Sequence, residues 1–262
     1  LTSGLNVKVR NIQSHGKLVN NVIIGDRAAV NFQGLDADKI HRGCQLVSPG
    51  YFLSTKQIGA FIKTLNSIKK PITQNQRIRI HIGTQEVMAR ISLVEMGKLL
   101  PGETSTAFLK LESPITASIG DKFIIRSYSP ISTIAGGEII DNEVSGKWAA
   151  IKTYLKNIYN LELGLDIPYM IEAFGSKPMT KEKMKLKFGY SESNLKIILD
   201  KYLDIYWAKI NRDEWLVTKN QIINLKEIIL NHLKMTHKKY PYKEGLQREE
   251  IRQYLNGNDR FV

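Results

Sequence analysis

Residues 123–141 read FIIRSYSPISTIAGGEIID, and this stretch decides the fold. Phe123-Ile124-Ile125-Arg126 has the composition of a buried strand, and Ser127 to Ser132 form a small, polar, proline-containing tip. Thr133-Ile134-Ala135 then lead through Gly136-Gly137 into a second apolar run, Glu138-Ile139-Ile140. Two such runs around a polar tip predict a β-hairpin. Paired glycines inside a strand predict a bulge or the close approach of another backbone. A basic residue, an aromatic hydroxyl and several small hydroxyls on one rigid tip can all donate to phosphate oxygens or 2′-hydroxyls, which suits a sugar–phosphate backbone. A polar hairpin with no ligand would read the same way locally, so its neighbours decide.

Upstream, Gln76-Arg77-Ile78-Arg79-Ile80-His81-Ile82 alternates polar and apolar side chains, the pattern of a half-buried strand whose outer face carries Arg77, Arg79 and His81. Gly83-Thr84 turn the chain into a second strand, Val87 to Val94. Thr106 to Glu112 is a third, closed by Pro114 before Ile115-Thr116-Ala117, and Gly120-Asp121 turn into the hairpin. Leu53 to Ile72, with Lys69-Lys70, reads as a preceding strand that offers no site of its own. Strands this closely spaced, with no helical pattern between Ile72 and Ile140, predict a small antiparallel barrel.

The order IRIHIGTQEVMARISLVE … LLPGETSTAFLKLESPITASIGDKFIIRSYSPISTIAGG resembles the third domain of SelB, the selenocysteine-specific translation elongation factor family, relatives of elongation factor Tu. The preceding segment, with turns at Gly25-Asp26-Arg27 and Arg42-Gly43, is similar to the last part of that family's second domain. The resemblance implies a mixed β and α chain. Residues 1–48 would be the C-terminal part of β-barrel domain II, 49–141 the antiparallel β-barrel domain III, and 142–163 a linker helix. Residues 164–221 would be a first winged helix and 222–262 the start of a second, incomplete one.

Composition is compatible with this. The 262 residues include 42% hydrophobic side chains, enough for cores, and 38 Lys or Arg against 25 Asp or Glu give a net charge of +13. The surplus is spread over both halves, the footprint of a protein laid along a polyanion, although a lysine-rich coding bias would leave the same excess. No apolar run approaches the roughly 18 residues of a membrane span, and no signal pattern opens the chain, so no membrane and a cytoplasmic location are expected. One cysteine, Cys44, excludes an internal disulfide framework.

After Asp141 the texture changes to helical spacing. Trp148, Ile151, Leu155, Ile158 and Tyr159 predict a helix behind a hinge at residues 141–146. Ile167, Met170, Ile171 and Phe174 mark the next helix, which residues 175–178 break. Thr180 and Ser191 cap two more, the latter running through Tyr202. Two short strands around Asn211-Arg212-Asp213 complete a winged helix, and Ile222–Lys239 and Leu246–Leu255 are further helices. The lysines cluster on the middle helix at 181, 183, 185 and 187. Their alternate spacing fits a solvated helix as well as an RNA contact.

No glycine-rich run followed by Lys-Ser or Lys-Thr exists to cradle nucleotide phosphates, and no histidine spacing matches a metal site, so neither catalytic nor metal residues are expected. The resemblance places GTP and magnesium on a domain before Leu1, implying that this chain is not itself the enzyme. It implies selenocysteinyl-tRNA and the ribosome as partners, with the selenocysteine insertion mRNA hairpin read by winged helices outside this chain. It further implies that Arg77, Arg79, His81, Gly83, Thr84, Arg126, Tyr128, Ser129 and Gly136 hold the tRNA backbone. His41, Arg42 and Gly43 would lie near the aminoacyl pocket, or Arg42 is a structural turn residue. The alternative is a winged-helix regulator fused to a barrel, binding DNA or protein.

Overall fold

The alternation along Arg77–Ile82 buries its three isoleucines and leaves its three basic side chains outside. The same rule, repeated around a ring of strands, builds the centre of the molecule. The computed structural model describes residues 5–34, 38, 40, 42–48, 54–160, 163–173, 179–210 and 213–257. Expectations on Phe174, on residues 175–178, on Asn211-Arg212 and on His41 lie outside the described residues.

The chain opens with β1 (Lys8–Ser14), β2 (Lys17–Val19) and β3 (Ala28–Gln33), an antiparallel sheet in the order β2-β1-β3. None of the described residues up to Ser48 is buried, so this part has no core of its own. Then come β4 (Ser54–Thr64), β5 (Ile72–Thr73), β6 (Arg77–Ile82), β7 (Gln85–Leu93), β8 (Lys98–Leu99), β9 (Thr104–Thr116), β10 (Lys122–Ser127) and β11 (Thr133–Asp141). Six of these close a barrel in the order β10-β11-β4-β9-β7-β6, with β6 pairing back onto β10. Closure leaves no sheet edge, and the interior is filled by Ile58, Ile62, Ile80, Ile91, Leu109, Ile125 and their neighbours.

Pro114 does not end its strand. Thr55 faces Ile115 and Gln57 faces Lys110, so residues 111–114 of β9 stand opposite Lys56 alone, and in such a bulge the missing proline N–H breaks no ladder bond. The hairpin's own bulge falls at Ile134, because Ile125 faces Ala135 while Arg126 faces Thr133. Of the two glycines, Gly137 is the one under close approach. A Cβ there would lie 2.5 Å from both the Phe123 ring and the Phe61 carbonyl oxygen.

Beyond the barrel lie α1 (Trp148–Asn157), β12 (Tyr159–Asn160), β13 (Gly164–Leu165), α2 (Ile167–Ala173), β14 (Met179–Thr180), α3 (Lys181–Phe188) and α4 (Glu192–Leu199). β15 (Ile205–Ile210), β16 (Asp213–Thr218), α5 (Lys219–Lys239) and α6 (Arg248–Gly257) come after them. Helices α2–α4 with the sheet β14-β16-β15 make a winged helix. Thr180 and Ser191 cap α3 and α4 as expected, but α4 ends at Leu199, with Asp200 as its C-cap, short of Tyr202.

Half of the expected hinge is buried. Asp141, Asn142 and Val144 are each at most 3% exposed. Val94, Phe108, Ile119, Ile140 and Val144 from the barrel side share one core with Ile151 and Leu155 of α1 and with Met170, Met184, Phe188 and Leu195 of the winged helix. The side chain of Asn142 donates to the carbonyls of Ala117 and Lys187, and the Ile119 N–H donates to Lys187 O. Two of the four lysines of α3 belong to this framework, and a third is paired within the winged helix. Lys187 is buried against Asp141, Lys183 pairs with Glu143, and Lys181 bridges Glu192 and Glu214.

Candidate nucleic-acid interface

Register places the outward side chains of β10, β6, β7 and β9 in rows. Arg126 faces Arg79 and Arg79 faces Met88; Arg77 faces Arg90, which faces Lys110; Ile124 faces His81, which faces Glu86. The inward partners of these strands are the buried Ile78, Ile80, Val87, Ala89 and Ile125, so the cations cannot turn inside. Five cationic side chains, Arg77, Arg79, Arg90, Lys110 and Arg126, thus share a face with two carboxylates, Glu86 and Glu112.

Arg77 is the best-held of the set. Its Nε and Nη2 donate to Oε1 and Oε2 of Glu112 at 2.8 and 2.7 Å, and its guanidinium lies 4.9 Å from the centre of the Tyr128 ring. The hydrogen bond to Glu112 raises the Arg77 pKa, and the same bond holds the Glu112 carboxyl below its ordinary range. Arg79 pairs through Nη1 with Glu86, and His81 Nε2 lies 3.8 Å from the same carboxylate. The buried Nε atoms of Arg79 and Arg126 find no hydrogen-bond acceptor among the described residues.

Not all predicted residues converge. Ser127 pairs with Ile78 and Phe123 with Ile82, so the hairpin tip stands at the Arg77 end of β6. Gly83 and Thr84 lie at the other end, roughly 20 Å away at the rise of an extended strand. There they meet Arg42, whose Nε donates to the Thr84 carbonyl at 3.1 Å. Gly43, at φ +99°, lies so close to Gln85 that a Cβ would sit 2.9 Å from that side chain. Gly136 belongs to neither end. It pairs with Ile124 and with Lys63 of β4, two strands from β6.

Ser129 is at the exposed tip, beside the cis peptide that precedes Pro130. Ser127 Oγ accepts from the Ser132 N–H at 3.0 Å and donates to the Pro130 carbonyl, which fixes the tip. A cleft of about 520 Å³ separates the tip from the segment 67–72 and is lined by Ser129, Ser132, Thr133, Lys69 and Lys70, among others. Ile68 packs on the barrel core and Ile72 is buried, so the two lysines between them are held at the cleft. The segment set aside from sequence as siteless therefore borders the hairpin.

Sequence reasoning missed Arg90, Lys110, Lys69 and Lys70. Arg90 was legible, since Glu86, Met88 and Arg90 alternate with Val87, Ala89 and Ile91. Lys110 was not, because Ser105 to Leu109 are buried on both faces and hide the period. Among the described residues no group of three or more His, Cys, Asp or Glu could hold a metal ion, and no helix is long and apolar enough to cross a membrane.

Residues 60–145 match the family described as "Selenocysteine-specific elongation factor, beta-barrel domain". The chain is 27% identical over 264 residues to the selenocysteine-specific elongation factor of Desulfomicrobium baculatum, covering 95% of this chain and 40% of that protein. It is 21% identical over 252 residues to the Haemophilus influenzae protein of the same name, covering 96% of this chain and 39% of that one. The solved structure titled "Crystal structure of bacterial selenocysteine-specific elongation factor EF-Sec" superposes with a TM-score of 0.63 at 23% identity. That superposition covers 96% of this chain and 38% of the other, and supports the fold. The chain thus resembles selenocysteine-specific elongation factors along nearly its whole length while spanning about two fifths of theirs.

Proposed function

We propose that this chain is the RNA-holding part of a selenocysteine-specific elongation factor, which brings selenocysteinyl-tRNA to the ribosome at recoded UGA codons. The observation that carries this reading is the face of β10, β6, β7 and β9, where Arg77 lies over Tyr128 and four more cations surround it. Guanidinium groups fixed on a rigid sheet suit phosphodiester oxygens, and a tyrosine ring beside them offers a surface for ribose or base. Ser129, Thr133, Lys69 and Lys70 extend the same polar, cationic lining around the hairpin tip.

In this reading the Arg77 end of β6 grips the tRNA backbone. The Gly83–Thr84 end, with Arg42 and Gly43, faces the aminoacyl end, where a cation favours an ionised selenolate over a seryl hydroxyl. Arg42 already spends one donor on Thr84, which supports a role set by that turn. GTP and magnesium would act on a domain outside this chain. The winged helix extends toward the end of the factor that reads the messenger hairpin. The alternative of a DNA-binding regulator draws no support from α3, whose Lys181, Lys183 and Lys187 are engaged in ion pairs.

The test is an anisotropy titration of selenocysteinyl-tRNA with this chain over a salt series. Arg77→Ala with Arg126→Ala should weaken binding and flatten the dependence of log K on log salt by about two, one for each phosphate left without its arginine. Unchanged affinity and slope would refute the assignment.

A further inference from the structure

We propose that Glu112 and Glu86 are displaceable counter-ions, which occupy the β6 arginines in the free protein and yield them to RNA phosphates on binding. The inference rests on reading this face as an RNA contact and adds to it two residues that set its affinity and selectivity. Each arginine of β6 meets a carboxylate from another strand: Arg77 meets Glu112 of β9, and Arg79 meets Glu86 of β7. Both carboxylates are nearly half exposed, at 45% and 47% of the side chain. One ion pair that open to water, even a bidentate one, competes with an array of phosphates that meets several cations of the face at once.

Three features favour exchange over permanent bracing. The Tyr128 ring lies 4.9 Å from the Arg77 guanidinium, on a side Glu112 does not use, and would support it once Glu112 is displaced. Glu112 does not lose all cationic company on release, since the charge of Arg90 acts on it as well. The edge Arg77 gives to Glu112 is the Nε–Nη2 fork, the geometry with which an arginine holds a phosphate. Without the carboxylates the ridge would attract any polyanion. With them, only a backbone that sets a phosphate at the Arg77–Tyr128 position offsets the loss of the pair, which is selection by an unfavourable element.

The experiment is a double-mutant cycle read by anisotropy of a fluorescein-labelled RNA duplex at about 50 mM salt, where phosphate contacts are strong. Glu112→Gln keeps the shape and removes the charge, and should raise affinity on the order of threefold to tenfold, the effect of one charge a few ångströms away in a solvated site. The gain should vanish in an Arg77→Ala background, and the cycle of Glu86→Gln with Arg79→Ala should behave alike. Equal thermal unfolding midpoints certify that each variant is folded. A loss of affinity in Glu112→Gln would make the carboxylate a brace and overturn the inference. An equal gain with and without Arg77 would reduce it to bulk charge and overturn it too. Wild-type binding that Glu112→Gln leaves unchanged ends this inference and spares the ridge, whereas a wild type and variants that all fail to bind end both.

Discussion

Lys187 and Asp141 form an ion pair with no access to water: Nζ lies 2.5 Å from Oδ1, and the two side chains are 0% and 1% exposed. One partner comes from α3 of the winged helix and the other from the last residue of β11, so the pair ties the winged helix to the barrel. Asp141 also accepts the Tyr154 hydroxyl at 2.5 Å on Oδ2 and the Glu143 N–H at 2.8 Å on Oδ1. Its lone pairs are thus satisfied on three sides, the condition under which a buried charge is tolerated.

Lys187→Met should destabilise the chain by about 3–5 kcal/mol, because it strands a carboxylate in a dry site. The double variant Lys187→Met with Asp141→Asn should recover part of that loss, since no bare charge remains. Urea unfolding of the wild type and the two variants, followed by circular dichroism, measures both effects. A single variant as stable as the wild type would mean that the pair is open to solvent.

The Tyr154 phenol carries the pH dependence of the same junction. Burial, and then the Asp141 charge, push its pKa well above the ordinary 10.0. With the folded value raised, the contribution is complete below the unfolded phenol's pKa and is lost as pH climbs beyond it, where the unfolded chain sheds a proton that the folded chain retains. Wild-type stability should therefore fall more steeply than that of Tyr154→Phe above about pH 10. At neutral pH the variant should lose about 1–3 kcal/mol with the hydrogen bond to Asp141. Parallel slopes in the two chains would contradict this.

Gly137 and Gly136 should differ sharply on substitution. A Cβ at 137 would sit 2.5 Å from a backbone oxygen that cannot move aside, while at 136 the nearest atom would be 3.6 Å away, an ordinary contact. Gly137→Ala is expected to cost about 1–3 kcal/mol through overpacking, and Gly136→Ala to leave the denaturation midpoint nearly unchanged. Equal effects in the two variants would show that the Phe61 backbone and the Phe123 ring both give way at position 137.

The barrel and the winged helix were both legible in the chain because their information is local. Period-two alternation in Arg77–Ile82 assigns the faces of a strand before any partner is known. Thr180 and Ser191 announce helix starts through hydrogen bonds spanning three residues. The resemblance to a known family then ordered these pieces. Even the extra row of cations was half visible, in the alternation around Arg90.

What sequence could not supply were the pairs made across the fold. Arg77 meets Glu112 at a separation of 35 residues, and Lys187 meets Asp141 at 46. Lys181, Lys183 and Lys187 of α3, which look like part of one solvated or RNA-facing cluster, are divided among carboxylates contributed by three different elements and by the junction after β11. The Gly83–Thr84 turn and the Tyr128 tip, each able to serve an RNA alone, stand at opposite ends of one strand once β10 pairs antiparallel to β6. Backbone preference and hydrophobic period act over a few residues and so are written along the chain. The partner of a charge is set by closure of the barrel and docking of the helices, because an ion pair forms wherever folding brings opposite charges within a few ångströms.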